Sequence, residues 1–332
     1  MNFAAVGPIA VHLPAKVETN DELRQMFPRW DIDLIYSKTG IRARHIAAPG
    51  ECASDLGVAA AEKLFRDFDI DRRSIDFLLF CTQTPDYPLP TTACLMQNRL
   101  GLRTTSGAID FNLGCSGFVY GLGLADGLIR GGSAKRVLLI TAETYSRYID
   151  AEDRSLRTIF GDGAAATLLE ATDRPMLRGF QYGTDGSGAD RLFVCQGGAR
   201  DEPIKSRTRH RWASPLYMDG PGLVDFTVES IPQLAEEVLR ASQFDRKNVD
   251  LYILHQATLL MLNRLREGLR ITPEQLPIVL EECGNTVSST IPIVIESLRG
   301  QGKLHAGMNS LLIGFGVGLS WAGCLWEESF AR

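Results

Sequence analysis

Residues 110–121 read DFNLGCSGFVYG, and the fold turns on how this stretch is divided. The preceding SGAIDF alternates like a strand. From Ser116 onward apolar residues recur at Phe118, Val119, Leu122, Leu124, Ala125, Leu128 and Ile129, until Gly131-Gly132 ends the helical pattern. A strand therefore runs directly into a helix, and Cys115 falls in the helix's first turn. Unpaired backbone N–H groups and the helix dipole favour a thiolate there, while Gly114 and Gly117 leave room for close approach. A small buried residue at a crowded turn accounts for the cysteine equally well.

The same rhythm extends in both directions. IDFLLFCTQ, SGAIDFN, KRVLLITAE and FGDGAAATLLE read as strands, with helical patterns at TACLMQNRLG and GLGLADGLIRGG between them. Beyond residue 220 the grammar repeats: VESIPQLAEEVLRASQ is amphipathic at a 3.6-residue period, DLYILHQ is strand-like, and ATLLMLNRLREGL and STIPIVIESLRGQG are helical. Two halves of like grammar, residues 1–172 and 173–332, suggest a duplicated α/β architecture. The uncharged run from Ala306 to Trp326 is long enough to span a bilayer, but its glycines and Asn309 suit two buried strands joined by a tight turn. Residues 183–220 turn polar and read as a surface excursion, with Lys205, Arg207, Arg209, His210 and Arg211 as a solvated basic cluster.

Composition limits the function classes. With 45% hydrophobic and 23% charged residues and a net charge of -5, the 332-residue chain has no bulk attraction to nucleic acid or to an anionic membrane. Its seven cysteines form no CxxC pair and no metal-like Cys/His spacing, which suits a reduced, cytoplasmic setting and no metal. The N-terminal MNFAAVGPIAVHLPAK reads as a first strand and not as a signal peptide.

Two further residues join Cys115. His255 ends the apolar strand DLYILHQ, where α/β folds expose functional side chains, although a strand-end histidine has a structural reading too. Asn285, after a glycine and ahead of a helix, reads plainly as an N-cap. Thiol, imidazole and amide at such positions can converge on one pocket. GFGVGLSWAG at 314–323 offers bare backbone N–H groups for an oxyanion, or simply a hairpin turn. It lacks GxGxxG spacing, no Walker A motif is present, and Gly-Cys-Ser-Gly does not fit the hydrolase elbow G-x-C-x-G.

TGIRARHIA (39–47), PTTACLMQNRLG (90–101), DFNLGCSGFVYGL (110–122), FGDGAAATLL (160–169), DGSG (185–188), HQA (255–257), GNTVSSTIP (284–292) and FGVGLSWAG (315–323) together resemble the β-ketoacyl-acyl-carrier-protein synthase III group of the thiolase superfamily. The resemblance implies a five-layered α-β-α-β-α thiolase-like fold of two duplicated halves, a homodimer, and decarboxylative Claisen condensation. It makes Cys115 the acylated nucleophile, with its own N–H and that of Gly318 as the oxyanion hole. His255 and Asn285 become the donors to a malonyl thioester's oxygen. The implied partners are malonyl-loaded acyl carrier protein and an acyl-coenzyme A or other acyl thioester, taken as substrates, with no tightly bound cofactor. An asparagine cannot act as a base, so Asn285 favours carbon–carbon bond formation over simple acyl transfer.

Departures from the family pattern carry expectations of their own. Leu34 and Lys38 stand where the fatty-acid-initiating enzymes use a tryptophan and an arginine to hold the coenzyme A nucleotide, which removes a stacking face and a forked donor. After HQA the chain continues Thr258, Leu259, Leu260 in place of the family's Asn-Leu-Arg, while Arg154 matches the family arginine at the coenzyme entrance. Arg264, Arg266 and Arg270 offer a substitute basic patch for an acidic carrier, or a solvated helix face. Leu89 replaces a phenylalanine at the dimer-lined acyl pocket, which points to a paralogue that takes a longer or bulkier acyl donor. The competing readings are a non-decarboxylating acyltransferase and a non-catalytic, carrier-binding subunit of the same fold.

Overall fold

The computed structural model describes residues 2–195, 197–199 and 215–331. The first part of the chain runs through β1 (Phe3–His12), β2 (Lys16–Thr19), α1 (Asn20–Met26), α2 (Ile32–Thr39), β3 (Ala43–Ile46), α3 (Ala53–Asp67) and β4 (Phe77–Cys81). It continues with α4 (Thr92–Arg99), β5 (Gly107–Phe111), α5 (Gly117–Arg130), β6 (Arg136–Glu143), α6 (Arg154–Arg157) and β7 (Gly163–Thr172). Then follow β8 (Leu177–Thr184), β9 (Leu192–Val194), β10 (Leu216–Met218), α7 (Gly220–Ser242), β11 (Leu251–Leu254), α8 (Leu259–Leu269), α9 (Thr290–Gly300), β12 (Asn309–Gly316) and β13 (Ser320–Glu327).

Two sheets carry the architecture, in the orders β1-β7-β6-β4-β5 and β8-β13-β12-β11. Their pairings run alike. β1/β7 and β7/β6 are antiparallel and β6/β4 parallel, as β8/β13 and β13/β12 are antiparallel and β12/β11 parallel. The first sheet adds β5, parallel to β4. α5 and α9 lie between the sheets, α3 and α4 cover the outer face of the first, α7 covers that of the second, and α8 packs beside α7 with its apolar residues in the same core as Leu254 and Ile313. These are the five α-β-α-β-α layers expected.

Sequence explains which helices go to the middle. α9 (TIPIVIESLRG) buries Ile291, Ile293, Val294 and Ile295, nearly all round its circumference, and α5 buries Phe118, Val119 and Leu122. Such helices need apolar cover on two sides, and the sheets supply it through Val6, Leu79 and Leu139 on one side and Ile253, Leu312 and Trp326 on the other. α3 keeps one apolar stripe, as a covering helix should.

The uncharged run near the C-terminus is the β12–β13 hairpin, paired from Asn309↔Glu327 to Gly316↔Ser320. Among the described residues no helix is long and apolar enough to cross a membrane. α7 begins at Gly220, well ahead of the VESIPQ pattern: the Asp219 carboxylate accepts from the Gly222 N–H and Pro221 fits the first turn, so capping chemistry outweighs the weak helical pattern of GPGLVDF. Within the expected polar excursion, Leu192–Val194 and Leu216–Met218 pair as antiparallel strands. The basic cluster at 205–211 lies outside the described residues.

Candidate active site

The nucleophile's turn is built before the helix starts. Gly117 N–H donates to the Gly114 carbonyl at 2.8 Å, Ser116 serves as the N-cap residue, and Cys115 therefore precedes α5 instead of lying in its first turn. Gly114 and Gly117 are packing glycines and not openings for substrate. A Cβ on Gly114 would stand 2.3 Å from Gln83 Oε1, and one on Gly117 2.2 Å from Cys81 Sγ. The glycine that fronts the sulfur is Gly316, whose Cβ would lie 2.9 Å from Cys115 Cβ and 3.0 Å from Sγ.

Burial, reinforced by the nearby Glu143 carboxyl, pushes the Cys115 thiol up to about 12. The N–H groups of Cys115 itself and of Val317 face the sulfur and act in the opposite direction. The partner amide is thus Val317's, one residue ahead of the expected Gly318. The chain passes the sulfur at Gly316 and Val317, whereas Gly318 sits beyond it in the hairpin turn with φ +135°.

His255 follows β11, held by its own N–H to the Ile313 carbonyl at 2.9 Å. Its ring is buried, edge-on to Phe315 at 5.5 Å, with Nδ1 2.7 Å from Thr290 Oγ1. Burial lowers its pKa to about 3, against a smaller upward pull from a hydrogen bond to the Val287 carbonyl. The imidazole is neutral at physiological pH.

Asn285 does not cap α9, which starts five residues later. Its backbone is locked to the first half, with N–H donating to Ile159 O at 2.9 Å and C=O accepting from Gly161 N–H at 3.1 Å. Its side-chain Oδ1 accepts from Val287 N–H at 2.9 Å. A backbone N–H can only donate, so this bond fixes the amide's orientation and leaves Nδ2–H₂ as the free donor. Val287 itself adopts φ +56°, a left-handed conformation that a β-branched residue takes only when its surroundings impose it.

Cys115, His255 and Asn285 all line one cavity of about 570 Å³, with Tyr145, Phe315 and Gly316 beside them. Leu192, Met218, Leu223 and Met261 make its walls largely apolar. Lys38, Arg154, Thr258 and Leu260 also line it, and Thr258 additionally caps α8 through a 3.3 Å bond from Met261 N–H. Leu34, 50% exposed on α2, is not among the lining residues, its neighbour Ile35 being turned inward instead. Leu89 is 81% exposed and also outside the lining.

Sequence reasoning overlooked the polar support behind these groups. Glu143, at the end of β6, is fully buried and its carboxyl group accepts from Gln83 N–H at 2.9 Å and is bonded to Thr84 Oγ1 at 3.2 Å and Ser288 Oγ at 2.8 Å. Burial raises its pKa to about 8 despite those donors. The Tyr145 hydroxyl donates to Gln83 Oε1. The available signal was a lone acidic residue closing the apolar strand KRVLLITAE, since a buried carboxyl needs a designed set of donors.

Two family models match the chain: 3-oxoacyl-[acyl-carrier-protein (ACP)] synthase III over residues 109–186 and its C-terminal counterpart over 239–327. Among solved structures, a 3-oxoacyl-(acyl-carrier-protein) synthase III is 46% identical with a TM-score of 0.93, over 98% of this chain and 99% of that one. A 3-oxoacyl-(acyl-carrier protein) synthase from Burkholderia xenovorans is 34% identical with a TM-score of 0.93, over 98% and 94% of the two chains. The priming β-ketosynthase of the R1128 polyketide pathway is 27% identical with a TM-score of 0.87, over 98% and 96%.

Proposed function

The chain belongs to the 3-oxoacyl-[acyl-carrier-protein] synthase III family of acyltransferases, and from that premise we propose that it condenses an acyl group held on Cys115 with a malonyl thioester, malonyl-acyl-carrier-protein, releasing carbon dioxide. The observation that carries this reading is the pinned amide of Asn285, which presents a donor beside a neutral His255 in the cavity that holds Cys115.

In the first half-reaction Cys115 Sγ attacks the donor thioester's carbonyl carbon. The thiol holds its proton at neutral pH, so that proton passes to the neutral His255 ring and from there to the departing thiolate. The Cys115 and Val317 N–H groups stabilise the tetrahedral oxyanion. In the second, Nδ2 of Asn285 and the His255 ring donate to the malonyl thioester oxygen while the carboxylate leaves as carbon dioxide. The enolate carbon attacks the acyl-cysteine, the C–S bond breaks, and the Cys115 thiolate takes up a proton from solvent, the one proton the condensation consumes. The Thr290 hydroxyl serves both tasks: donating to Val287 O at 3.3 Å it accepts from Nδ1–H, and donating to Nδ1 it leaves the proton on Nε2.

The donor side of the reading rests on the cavity's apolar walls, with Leu89 able to reach an acyl pocket only across a dimer: a specialised paralogue taking a longer or bulkier acyl thioester, in a cytoplasmic setting, without a resident cofactor. Lys38 and Arg154 would meet the anionic arm of the donor. A homodimer is supported by β5, an outer strand of its sheet among the described residues, with Ile109, Tyr87 and Leu89 exposed near it. Intact-mass measurement of Cys115 after incubation with acetyl-, octanoyl- and aromatic-coenzyme A, paired with carbon dioxide release from labelled malonyl-carrier, tests each part. Clear preference for acetyl removes the altered-donor reading. Acylation without carbon dioxide release refutes condensation and leaves transfer to an alcohol or amine.

A further inference from the structure

Between Asn285 and α9 the chain makes one short turn, and that turn holds both donors. Val287 N–H orients the Asn285 amide at 2.9 Å, and Val287 C=O accepts from the Thr290 hydroxyl and the His255 ring. A single peptide-bearing residue, fixed at φ +56°, therefore sets the direction of two side chains that come from separate parts of the chain. Nothing intrinsic to a valine keeps it there. Its neighbour Ser288 is tied at 2.8 Å to Glu143 Oε1, whose other oxygen is held by Gln83 N–H and the Thr84 hydroxyl. Ser289 adds a second tether to β6, 2.8 Å from Thr141 Oγ1.

We infer that Glu143 is a positioning residue for the condensation step, acting through Ser288 to hold the Val287 peptide and hence the aim of Asn285 and His255. Glu143 joins the ends of β4 and β6, in the sheet beneath Cys115, to the turn that starts α9. It thereby fixes the donors relative to the nucleophile's side of the cavity. The oxyanion amides of Cys115 and Val317 lie in the turn ahead of α5 and in the β12–β13 hairpin, and neither is bonded to Glu143, Ser288 or Val287 in this linkage. Loosening the turn therefore weighs more on condensation, which needs both Asn285 and His255 aimed, than on acylation, which uses His255 alone, where a carboxyl group with a purely architectural role would weaken both alike.

The inference rests on the decarboxylative reading, and its test keeps the two apart. In the full-length protein, acylation of Cys115 by octanoyl-coenzyme A and carbon dioxide release from malonyl-acyl-carrier-protein are measured separately for wild type, Ser288→Ala, Glu143→Ala and Glu143→Gln. Misplacing a donor by an ångström slows a step on the order of a hundredfold, so Ser288→Ala, which loosens two donors for condensation and His255 alone for acylation, is expected to lower decarboxylation at least about tenfold more than acylation. Glu143→Gln keeps the shape and an acceptor for Gln83 N–H, and is expected to retain decarboxylation within about fivefold. If Glu143→Ala does not fold, Ser288→Ala, which removes one hydroxyl, still decides. Wild type that releases no carbon dioxide refutes the proposed reaction. Wild type that does, alongside a Ser288→Ala variant that matches it or loses both steps equally, overturns the positioning role; so does Glu143→Gln falling as far as Glu143→Ala.

Discussion

Val287 N–H lies 2.9 Å from Asn285 Oδ1, and this one bond determines that the amide presents nitrogen, not oxygen, to the cavity. The residue could not serve as a base, and the bond ensures that it serves as a donor. Aspartate at 285 would keep the bond through one oxygen and place the other, a pure acceptor, where a developing enolate needs a donor. Removing a preorganised donor of this kind costs about 3 kcal/mol of transition-state stabilisation. Asn285→Asp is therefore expected to slow carbon dioxide release from malonyl-carrier roughly a hundredfold or more while Cys115 still acylates at near wild-type rate. Comparable loss in the intact-mass acylation assay would show that the amide is not specific to the second step.

Gly316 gives a second, opposite separation. A methyl group there meets Cys115 Cβ at 2.9 Å and Sγ at 3.0 Å and no other neighbour within 4 Å, so the nucleophile's side chain must turn away from its amides. Gly316→Ala is expected to slow acylation at least about tenfold, since an ångström of misalignment has that order of effect or more. Its melting temperature should change little, because the crowding falls on a single side chain. Rapid acylation by octanoyl-coenzyme A would mean that the present Sγ rotamer is not the reacting one.

Stability should depend on pH through His255. The ring titrates near 3 when folded and near its ordinary 6.5 when unfolded. Between those values the unfolded chain binds a proton that the folded one refuses, so stability falls as pH drops from 6.5 toward 3. At pH 5 the penalty is about 2 kcal/mol, from one and a half pH units below the unfolded value. Glu143 slopes the other way: its folded value near 8 exceeds the ordinary 4.5, so its share of stability is lost as pH rises from about 4.5 to about 8. The difference between wild type and His255→Gln in urea unfolding isolates the first effect and should grow by about 2 kcal/mol from pH 5 to pH 7. A pH-independent difference would place the imidazole in contact with water.

Much of this site is legible in the sequence, and the unreadable part has a physical cause. Strand–helix alternation and the Gly-rich hairpin follow from periodicity, and Cys115, His255 and Asn285 stand at element ends where side chains converge. The hairpin amide that faces the Cys115 sulfur is Val317's and not Gly318's, because sequence marks which residues lack side chains and not which N–H faces a sulfur. Gly114 and Gly117 looked like openings, yet the atoms that demand them, on Gln83 and Cys81, belong to another strand's end. Leu34 and Leu89 are exposed and outside the cavity lining of the single chain for a similar reason, since which side chains enter a cavity depends on how the elements pack. Glu143 was hidden most completely, since a buried carboxylate's role lies in donors drawn from residues 83, 84 and 288.

Thr290 tests the tautomer argument directly. Its hydroxyl stands 2.7 Å from His255 Nδ1 and 3.3 Å from Val287 O, and can donate to either. Thr290→Val keeps the volume and removes that choice, leaving the Val287 carbonyl, 3.3 Å from the lost hydroxyl and already bonded to the ring, as the acceptor expected to hold a proton on the Nδ1 side. Nε2 then faces the cavity as an acceptor: fit to take the Cys115 proton, unfit to donate to an enolate. Acylation should persist within a few-fold, while carbon dioxide release falls roughly tenfold to a hundredfold, the range for losing one of two oxyanion donors. The ¹⁵N shifts of the His255 ring report the tautomer independently of turnover, and should show Nδ1–H alone in the variant. Nε2–H in Thr290→Val, or decarboxylation at the wild-type rate, would mean that the hydroxyl does not govern where the ring carries its proton.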